Sequence, residues 1–342
     1  MTVNRQIVLA RYVHGEPREE DFALVEGEVP EPGPGEFVVR NLYFSLEPAI
    51  RGWLEGKANY FEPIPLGGVV RAPTVGRVVR SRHPDYREGE IVFGLNRWED
   101  YSLASDETIL LEKLHPAPDL PLSYYVGPLG GSGTTAYIGL HEIGRIAPGQ
   151  TVVVSAAAGA TGGMAVQIAR LRGCRVIGIV GSDEKARLVT EVFGASAAVN
   201  YKTCGDLTAA VRALAPEGVD VYYDNVGGPI LDALLLAMKP LGRVVCCGMI
   251  ADYNRSDDPH PIRNLWEVVS RQLTLQGFLL FTYHDQVPEA QRQLEEWIRS
   301  GEIRVREHLT RGIANTPKAF CELMRGVTMG KALVELDRPE ED

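Results

Sequence analysis

Residues 151–185 constrain the chain most, because they read as one complete strand, glycine turn, helix and second strand, TVVVSAAAGATGGMAVQIARLRGCRVIGIVGSDEK. The β-branched run Thr151–Ser155 suits a strand that is buried on both faces. A helix is predicted over 162–172 and a second strand over Arg175–Val180, with Gly173 ending the helix between them. A unit of this kind is right-handed and places its first turn at the carboxyl end of a parallel sheet.

The turn in this unit carries most of a dinucleotide-binding fingerprint. The three fingerprint glycines map onto Ala157, Gly159 and Gly162, so alanine replaces only the first. Gly159 allows the backbone to approach a pyrophosphate, and Gly162 allows the helix to pack closely on the strand. With a strand before the turn and a helix and strand after it, the pattern predicts a dinucleotide fold. The alternative is an α/β layer whose glycines serve packing alone.

Length, charge and cysteine content narrow the class of protein further. A chain of 342 residues exceeds one ordinary core, so two domains are expected. The formal net charge of -10, with basic residues scattered singly, argues against a nucleic-acid partner. No stretch has the apolar length of a membrane helix, and the start lacks a signal-peptide layout, so a cytoplasmic protein without a membrane partner is expected. The five cysteines contain no C-x-x-C and are interpreted as reduced, structural thiols.

The pattern of apolar runs and turn residues changes along the chain, and these changes predict the domain organisation. The first 125 residues contain short alternating runs between turn clusters, which is typical of a β-rich, barrel-like domain. Strands and helices alternate from a boundary near Val126, and the pattern changes again near residue 302. We therefore predict an α/β chain in which 127–302 form a doubly wound parallel sheet domain and 1–126 with 303–342 form the other domain. Within the sheet domain, strands are predicted over 220–223, 243–247 and 274–280, and helices over 135–143 and 231–238.

Nearly the whole chain resembles the zinc-independent branch of the medium-chain dehydrogenase/reductases, in particular the group of prostaglandin reductases, alkenal double-bond reductases and bacterial curcumin reductase. The resemblance rests on SLEPAIRGWL at 45–54, GTTAYIGL at 133–140, SAAAGATGG at 155–163, GSDEK at 181–185, NYKT at 200–203, DNVGG at 224–228, CGMIADYN at 247–254 and MGKALV at 329–334. It implies a homodimer whose subunits combine a GroES-like β-barrel domain with a Rossmann NADP-binding domain. It also implies NADPH-dependent reduction of the C=C bond of small α,β-unsaturated ketones or aldehydes.

The resemblance places cofactor contacts throughout the second domain and near the end of the chain. Tyr201 has an alternative role in capping a strand edge, and Asn225 has one in forming a turn, but both follow strand ends where ligands bind in such sheets. The implied contacts are Thr135, Gly159, Ala160, Thr161, Gly162, Lys185, Tyr201, Asn225, Cys247, Gly248, Met249, Ile250, Tyr253, Phe278, Leu279, Leu280 and Thr328.

The tip of the second strand bears on the choice between NADPH and NADH. An NAD-selective site usually has an acidic residue at this position, about 20 residues after the glycine turn. Here the tip is Gly181, and the following Ser182 or Asp183 is interpreted as the cap of the next helix, although Asp183 could instead accept a ribose hydroxyl. Lys185 then lies in the first helical turn, where its ammonium can reach a 2′-phosphate. Its alternative is a solvated surface lysine.

Candidate catalytic residues come from the same resemblance and from the chemistry that it leaves possible. Tyr253, in A-D-Y-N, is the first candidate for donating a hydrogen bond to the enolate oxygen that forms during reduction of an enone. Tyr60 is the second, although it could be a half-buried barrel aromatic. The family's tyrosine in D-P-Y-M-R is Ala49 here, Gly131 and Ser132 replace a bulkier Met-Pro, and Thr328 stands where asparagine is common. A quinone reductase on the same scaffold and a non-catalytic NADPH-binding protein remain alternative functions.

The sequence lacks the ligands that the zinc-dependent relatives use. Those relatives carry a cysteine early in the barrel and a G-H-E segment, and the matching stretches here are FSLEPAI and LGGVVRA. The seven histidines have no second His or Cys at ligand spacing. No metal is therefore expected.

Because no metal is expected, we predict that the purified protein keeps full activity after exhaustive treatment with a chelator. The physical reason is that hydride addition to an enone requires a hydrogen-bond donor rather than a Lewis acid. Elemental analysis and assays before and after chelation measure this, and one tightly bound equivalent of zinc would contradict it.

Overall fold

A computed structural model describes residues 3–337, which form strands β1–β15 and helices α1–α8. The strands are β1 Val3–Leu9, β2 Phe22–Glu28, β3 Glu36–Ser45, β4 Arg71–Ser81, β5 Ile91–Arg97, β6 Tyr101–Ser105, β7 Glu112–Leu114, β8 Thr151–Ser155, β9 Arg175–Val180, β10 Ala197–Asn200, β11 Val219–Asp224, β12 Met238–Cys246, β13 Thr274–Gly277, β14 Glu307–Arg311 and β15 Lys331–Glu335. The helices are α1 Gly131–Ile138, α2 Ala160–Leu171, α3 Asp183–Arg187, α4 Leu207–Leu214, α5 Gly228–Leu235, α6 Trp266–Ser270, α7 Val287–Arg299 and α8 Thr316–Met324.

These elements divide into two compact domains. The first domain comprises the described residues up to Gly127 together with those from Glu307 onwards. The second domain is Pro128–Arg306. The chain thus begins the first domain, completes the second and returns to the first.

The first domain is built on a seven-stranded sheet in the order β14-β15-β3-β4-β5-β7, with β6 also paired to β3. All pairings in this sheet are antiparallel except that of β14 with β15. Strand β3 pairs with three others, and inward residues such as Phe37 and Val39 pack against Val78 and Val92. This multiply paired, largely antiparallel sheet forms the barrel-like domain that the alternating runs predicted.

The second domain contains a six-stranded, wholly parallel sheet in the order β10-β9-β8-β11-β12-β13. Counted from β8, this is the doubly wound order 3-2-1-4-5-6, and the connection reverses direction between β8 and β11. Buried apolar residues on both sides of these strands form the core, as β-branched strands between helices require. Ligands in such sheets bind at the carboxyl ends of the strands, beside this reversal. The predicted fold class is confirmed.

Several element bounds agree with the sequence and others differ for identifiable reasons. Strands β8 and β9 have the predicted bounds, whereas α2, predicted over 162–172, begins at Ala160 directly after its N-cap Gly159 and ends at Leu171. The helix predicted over 231–238 is wrong at its end, because Met238 pairs with Val219 and opens β12. The strand predicted over 274–280 ends at Gly277, and Leu280 begins a 3₁₀ helix that runs to Gln286.

No helix in the described part of the chain is both long and apolar enough to cross a membrane.

Candidate functional site

The turn between β8 and α2 has the shape that a phosphate-binding loop requires. Gly159 donates its amide to the Ala156 carbonyl at 2.9 Å and serves as the N-cap of α2. A Cβ on Gly162 would overlap the backbone of Ala156, so glycine is required there for the close approach of helix and strand. Ala156 itself has φ 48°, a left-handed conformation. The first amides of α2, from Ala160 and Thr161, have no acceptor within the helix, which makes this terminus suited to a phosphate.

Gly181 directly follows β9, and its lack of a side chain leaves room for Tyr201 and Lys202 beside the strand end. A Cβ on Gly181 would lie 3.2 Å from the ring of Tyr201 and 3.5 Å from Cε of Lys202. Ser182 caps α3 by accepting the amide of Lys185 at 3.2 Å, which confirms the cap interpretation. Asp183 accepts from the Asn200 side chain at 2.8 Å.

Two lysines lie close together at this tip. Burial lowers the pKa of Lys185, and the positive charge of Lys202 lowers it further. A phosphate between the two ammonium groups would relieve their repulsion. Sequence reasoning missed Lys202, although its position directly after Tyr201 in NYKT was available as a signal.

A buried carboxylate joins the ends of two neighbouring strands, β8 and β11, to the loop that follows β11. Asp224, which is 1% exposed, accepts four hydrogen bonds on its Oδ1 atom: from the hydroxyls of Tyr222 (2.6 Å) and Ser155 (3.1 Å) and from the amides of Val226 (2.9 Å) and Gly227 (3.0 Å). Burial raises the pKa of Asp224, and these hydrogen bonds oppose that shift.

The same network orients the predicted cofactor residues that follow β11 and β12. The Asn225 side chain donates to the Ser155 carbonyl at 2.7 Å, and the backbone amide of Asn225 donates to the Ser155 hydroxyl at 2.9 Å. The Asp224 carbonyl accepts the amides of Cys247 at 2.8 Å and Gly248 at 3.1 Å. Asn225, Cys247 and Gly248 are therefore brought together at the carboxyl edge of the sheet.

Tyr253 belongs to a turn that continues from this edge. Its hydroxyl oxygen accepts the Met249 amide at 3.3 Å, while Ile250 donates its amide to the Asn225 carbonyl at 3.4 Å. Burial raises the pKa of Tyr253. The phenol thus keeps its proton at neutral pH, and since its oxygen acts as the acceptor toward Met249, that proton can be donated elsewhere.

The neighbouring Asp252 closes the turn. Its Oδ1 atom accepts both the backbone amide of His260, at 2.9 Å, and a ring nitrogen of the same residue, at 2.6 Å. His260 is therefore hydrogen-bonded within this turn.

The residues after β13 and those in α1 are also neighbours. A Cβ on Gly139 would lie 2.8 Å from the Phe278 ring and 2.8 Å from that of Tyr223, so glycine admits both aromatics. The Tyr223 hydroxyl donates to the Thr135 carbonyl at 3.0 Å. Leu279 is exposed and Leu280 is partly buried.

Tyr60 and Thr328 lie in the first domain. Tyr60 is 45% exposed, with its ring packed edge-on against Trp53 and Phe61. Thr328 is buried after α8. Within residues 3–337, no three or more His, Cys, Asp or Glu side chains are grouped so that they could hold a metal ion.

The fold is that of a medium-chain dehydrogenase/reductase, and comparisons with known proteins define the group. Residues 5–111 match the family model described as the N-terminal domain of oxidoreductase, and residues 160–296 match that of zinc-binding dehydrogenase. The chain is 38% identical to NADPH-dependent curcumin reductase of Escherichia coli over 97% of each chain. It is 38% identical to NADP-dependent 2-alkenal reductase of Nicotiana tabacum over 98% of each. The crystal structure of CurA from Vibrio vulnificus in complex with NADPH has a TM-score of 0.91, at 35% identity, covering 98% of this chain and 100% of that one.

The chain therefore belongs to the medium-chain reductase family that includes curcumin reductase and 2-alkenal reductase.

Proposed function

We propose that the protein is an NADPH-dependent reductase of the C=C bond of α,β-unsaturated ketones and aldehydes. One observation carries the proposal. A single edge of a doubly wound sheet brings together a turn suited to binding a phosphate, the neighbouring Lys185 and Lys202, and the protonated Tyr253. Relatives named for NADPH-dependent or NADP-dependent reduction at 38% identity support it.

The residues present fit an NADP dinucleotide. Gly159, Ala160, Thr161 and Gly162 would hold the pyrophosphate at the start of α2. Lys185 and Tyr201, with Lys202 beside them, would hold the 2′-phosphate next to Gly181. The remaining predicted contacts form the strand-edge segments after β11, β12 and β13, together with Thr135 and, from the first domain, Thr328. When bound, NADPH supplies the hydride that this reaction requires.

The chain itself supplies binding and a proton donor. Tyr253 holds a proton on its hydroxyl and is positioned by the Met249 amide, so it can donate a hydrogen bond to a substrate carbonyl oxygen. Such a donor stabilises the negative charge that develops on that oxygen as the β-carbon is reduced. Tyr60, exposed in the first domain, is proposed as a second substrate-contacting residue. The first domain is proposed as the substrate and catalytic domain through Tyr60, and the second as the NADP-binding domain, which also contributes Tyr253.

We further propose a homodimer formed at the β13 edge of the sheet. Strand β13 pairs only with β12 among the described strands and leaves one row of backbone groups open. The adjoining α6 has no buried residue, and its Trp266 and Val269 are 70% and 64% exposed. An edge of this kind can pair with its own copy about a twofold axis, which would cover both the open strand and the apolar side chains.

A cytoplasmic location is proposed as well. All five cysteines are unpaired, including the adjacent Cys246 and Cys247, as in a reducing compartment.

The first prediction from this function concerns the tyrosine donor. With simple enones and NADPH, the wild type should saturate the C=C bond and leave the C=O intact. Tyr253→Phe should lower kcat more than it raises KM, by about 2.7–4 kcal/mol of transition-state stabilisation, since the donor acts mainly on developing charge. Because burial raises the pKa of Tyr253, any loss of rate through its deprotonation should begin at a higher pH than for an ordinary tyrosine.

Product analysis shows which bond is reduced, and steady-state kinetics with matched enones and benzoquinones measure the effect of Tyr253→Phe. Allylic alcohol as the main product, an unchanged Tyr253→Phe variant, or turnover of quinones alone would each refute the assignment. Cofactor binding with no turnover of any acceptor would favour a binding protein.

The second prediction concerns the choice of cofactor. Lys185→Ala should weaken the binding of NADPH by about 1.5–3 kcal/mol and leave the binding of NADH unchanged, because only NADPH carries the 2′-phosphate. Lys202→Ala should have the same sign of effect. The kcat/KM values for both cofactors decide it, with Lys239→Ala as the control, since Lys239 is paired to Asp220 at 3.0 Å. Parallel loss of NADH and NADPH, or equal use of both by the wild type, would exclude Lys185 as the phosphate contact.

The third prediction concerns assembly. Replacing Trp266 and Val269 together by glutamate should convert a dimer to a monomer, because buried carboxylates at the edge would lack partners. Light scattering after gel filtration measures the mass. Val192→Glu is the matched control, since Val192 is 47% exposed and follows α3, next to β10 at the other edge of the sheet. A monomeric wild type, or a double variant that stays dimeric, would show the interface to be elsewhere.

A further inference from the structure

Asp224, the last residue of β11, is a buried carboxylate without a neighbouring cation. Its side chain is 1% exposed, and its four hydrogen bonds all end on Oδ1. Among residues 3–337, no donor reaches Oδ2, and no lysine, arginine or histidine forms an ion pair with this carboxylate. Two hydroxyls and two backbone amides that donate to one oxygen stabilise the ionised form of the group. A negative charge is therefore held here without a counter-charge.

The titratable side chains around Asp224 do not supply that counter-charge. Burial raises the pKa of Tyr222 well above its usual value, and it raises the pKa of the Cys246 thiol to about 11 and that of the Cys247 thiol to about 12. These groups are neutral at pH 7. Because a buried charge without a partner is costly, its presence at the edge of a ligand-binding sheet indicates a functional role.

The position of Asp224 in the sheet relates it to one half of the proposed cofactor site. Dinucleotides bind across the reversal between β8 and β11, with one nucleotide over the strands on each side. Gly181, which follows β9, lies where the 2′-phosphate of the adenosine half is proposed to bind. The nicotinamide half is then expected over the ends of β11 and β12, where the Asp224 carbonyl accepts the amides of Cys247 and Gly248.

The charge of Asp224 also acts on the turn that carries Tyr253. Burial is the main cause of the raised pKa of Tyr253, and the negative charge of Asp224 is among the further causes that raise it. The electric field of the carboxylate thus extends from the end of β11 to the residue proposed as the hydrogen-bond donor, within the second domain.

We propose that Asp224 stabilises the oxidised, cationic nicotinamide ring of NADP⁺ relative to the neutral ring of NADPH. The inference rests on the proposed function, because it takes the nicotinamide to bind at this edge. The ring becomes cationic when its hydride passes to the β-carbon of the enone, and the resulting enolate takes up a proton from solvent. A carboxylate beside the ring favours transfer in this direction, because the Coulomb attraction is present with NADP⁺ and absent with NADPH.

Binding of NADP⁺ and NADPH to the wild type and to Asp224→Asn tests this without turnover. The variant can keep the network, because its amide oxygen can accept the four hydrogen bonds of Oδ1 while its amide nitrogen replaces the oxygen that accepts none. In calorimetric titrations, the ratio of the Kd of NADP⁺ to that of NADPH should be about tenfold higher in Asp224→Asn. The ratio is compared because the effect of Asp224 on the phosphates, which both ligands carry, cancels in it.

A third ligand tests the wild type alone, so the proposal can be refuted even if the variant does not fold. This ligand is the uncharged analogue in which a benzamide ring replaces the nicotinamide of NADP⁺. It matches NADP⁺ in planarity and phosphates and lacks only the ring charge. The wild type should bind it about tenfold more weakly than NADP⁺, whereas Asp224→Asn should bind the two within about twofold of each other.

Two further variants separate the charge of Asp224 from its structural role. Tyr222→Phe removes a hydrogen bond from Oδ1 but keeps the carboxylate, so the Kd ratio should stay within about twofold of the wild-type value. Asp220→Asn makes the same change in net charge near the opposite end of β11, where Asp220 pairs with Lys239 at 3.0 Å. It should also leave the ratio unchanged.

Other outcomes would overturn the proposal. An unchanged ratio in Asp224→Asn, or an equal shift in Tyr222→Phe, would show that Asp224 only holds the strand ends together. Equal wild-type affinities for NADP⁺ and the benzamide analogue would show that the carboxylate does not act on the ring. A ratio that changes when potassium replaces sodium at constant ionic strength would identify a bound metal cation as the counter-charge.

The same titrations distinguish this failure from failure of the proposed function. If the wild type binds none of the three ligands, the proposed function is refuted, and the inference with it. If the expected ratios are found but no enone is reduced, the role of Asp224 is supported and only the proposed reaction is refuted.

Discussion

The hydrogen-bonded carboxylate of Asp224 is the interaction on which the site in the second domain depends. Four donors from two strands and the following loop converge on one of its oxygens, and its own carbonyl accepts two amides that follow β12. Leaving such a buried acceptor unsatisfied is costly, so the network fixes the strand ends to one another. Asn225, Gly248 and the turn that carries Tyr253 take their positions from this arrangement. The chemistry proposed for Tyr253 is therefore set by a residue that need not touch a ligand.

Much of the fold could be predicted from the sequence because the local signals agreed with the tertiary structure. β-Branched runs bounded by glycine gave β8 and β9, and Ser182 before an acidic first turn gave the start of α3. The prediction went wrong where tertiary pairing overrides local preference. Met238 continues a helical pattern in the sequence, yet its pairing with Val219 places it in a strand.

The site was only partly accessible to sequence reasoning for a similar reason. Lys202 lies next to Gly181 because the parallel pairing of Asn200 with Val180 brings two distant segments side by side. Spacing along the chain does not encode this juxtaposition. The strand ends and glycine turns, by contrast, are local features, so the sequence alone predicts a site at the carboxyl edge of the sheet.

The aromatic cluster around Trp53 depends on a contact between the two ends of the chain. Lys331, almost fully buried in β15, donates to the Ser45 hydroxyl at 2.6 Å and to the Glu47 carboxylate at 3.1 Å. Burial alone would raise the pKa of Glu47, yet the pKa is lowered, because the Lys331 charge and the Ser45 hydroxyl outweigh the burial. Breaking a buried pair of this kind leaves an uncompensated charge, which costs about 3–5 kcal/mol. Glu47 directly precedes the helical turn Pro48–Trp53, so the C-terminal strand fixes the segment from which Trp53 meets Tyr60, Phe61 and Arg71. Lys331, near the end of the chain, thereby helps to position the aromatic cluster around Trp53, near its beginning.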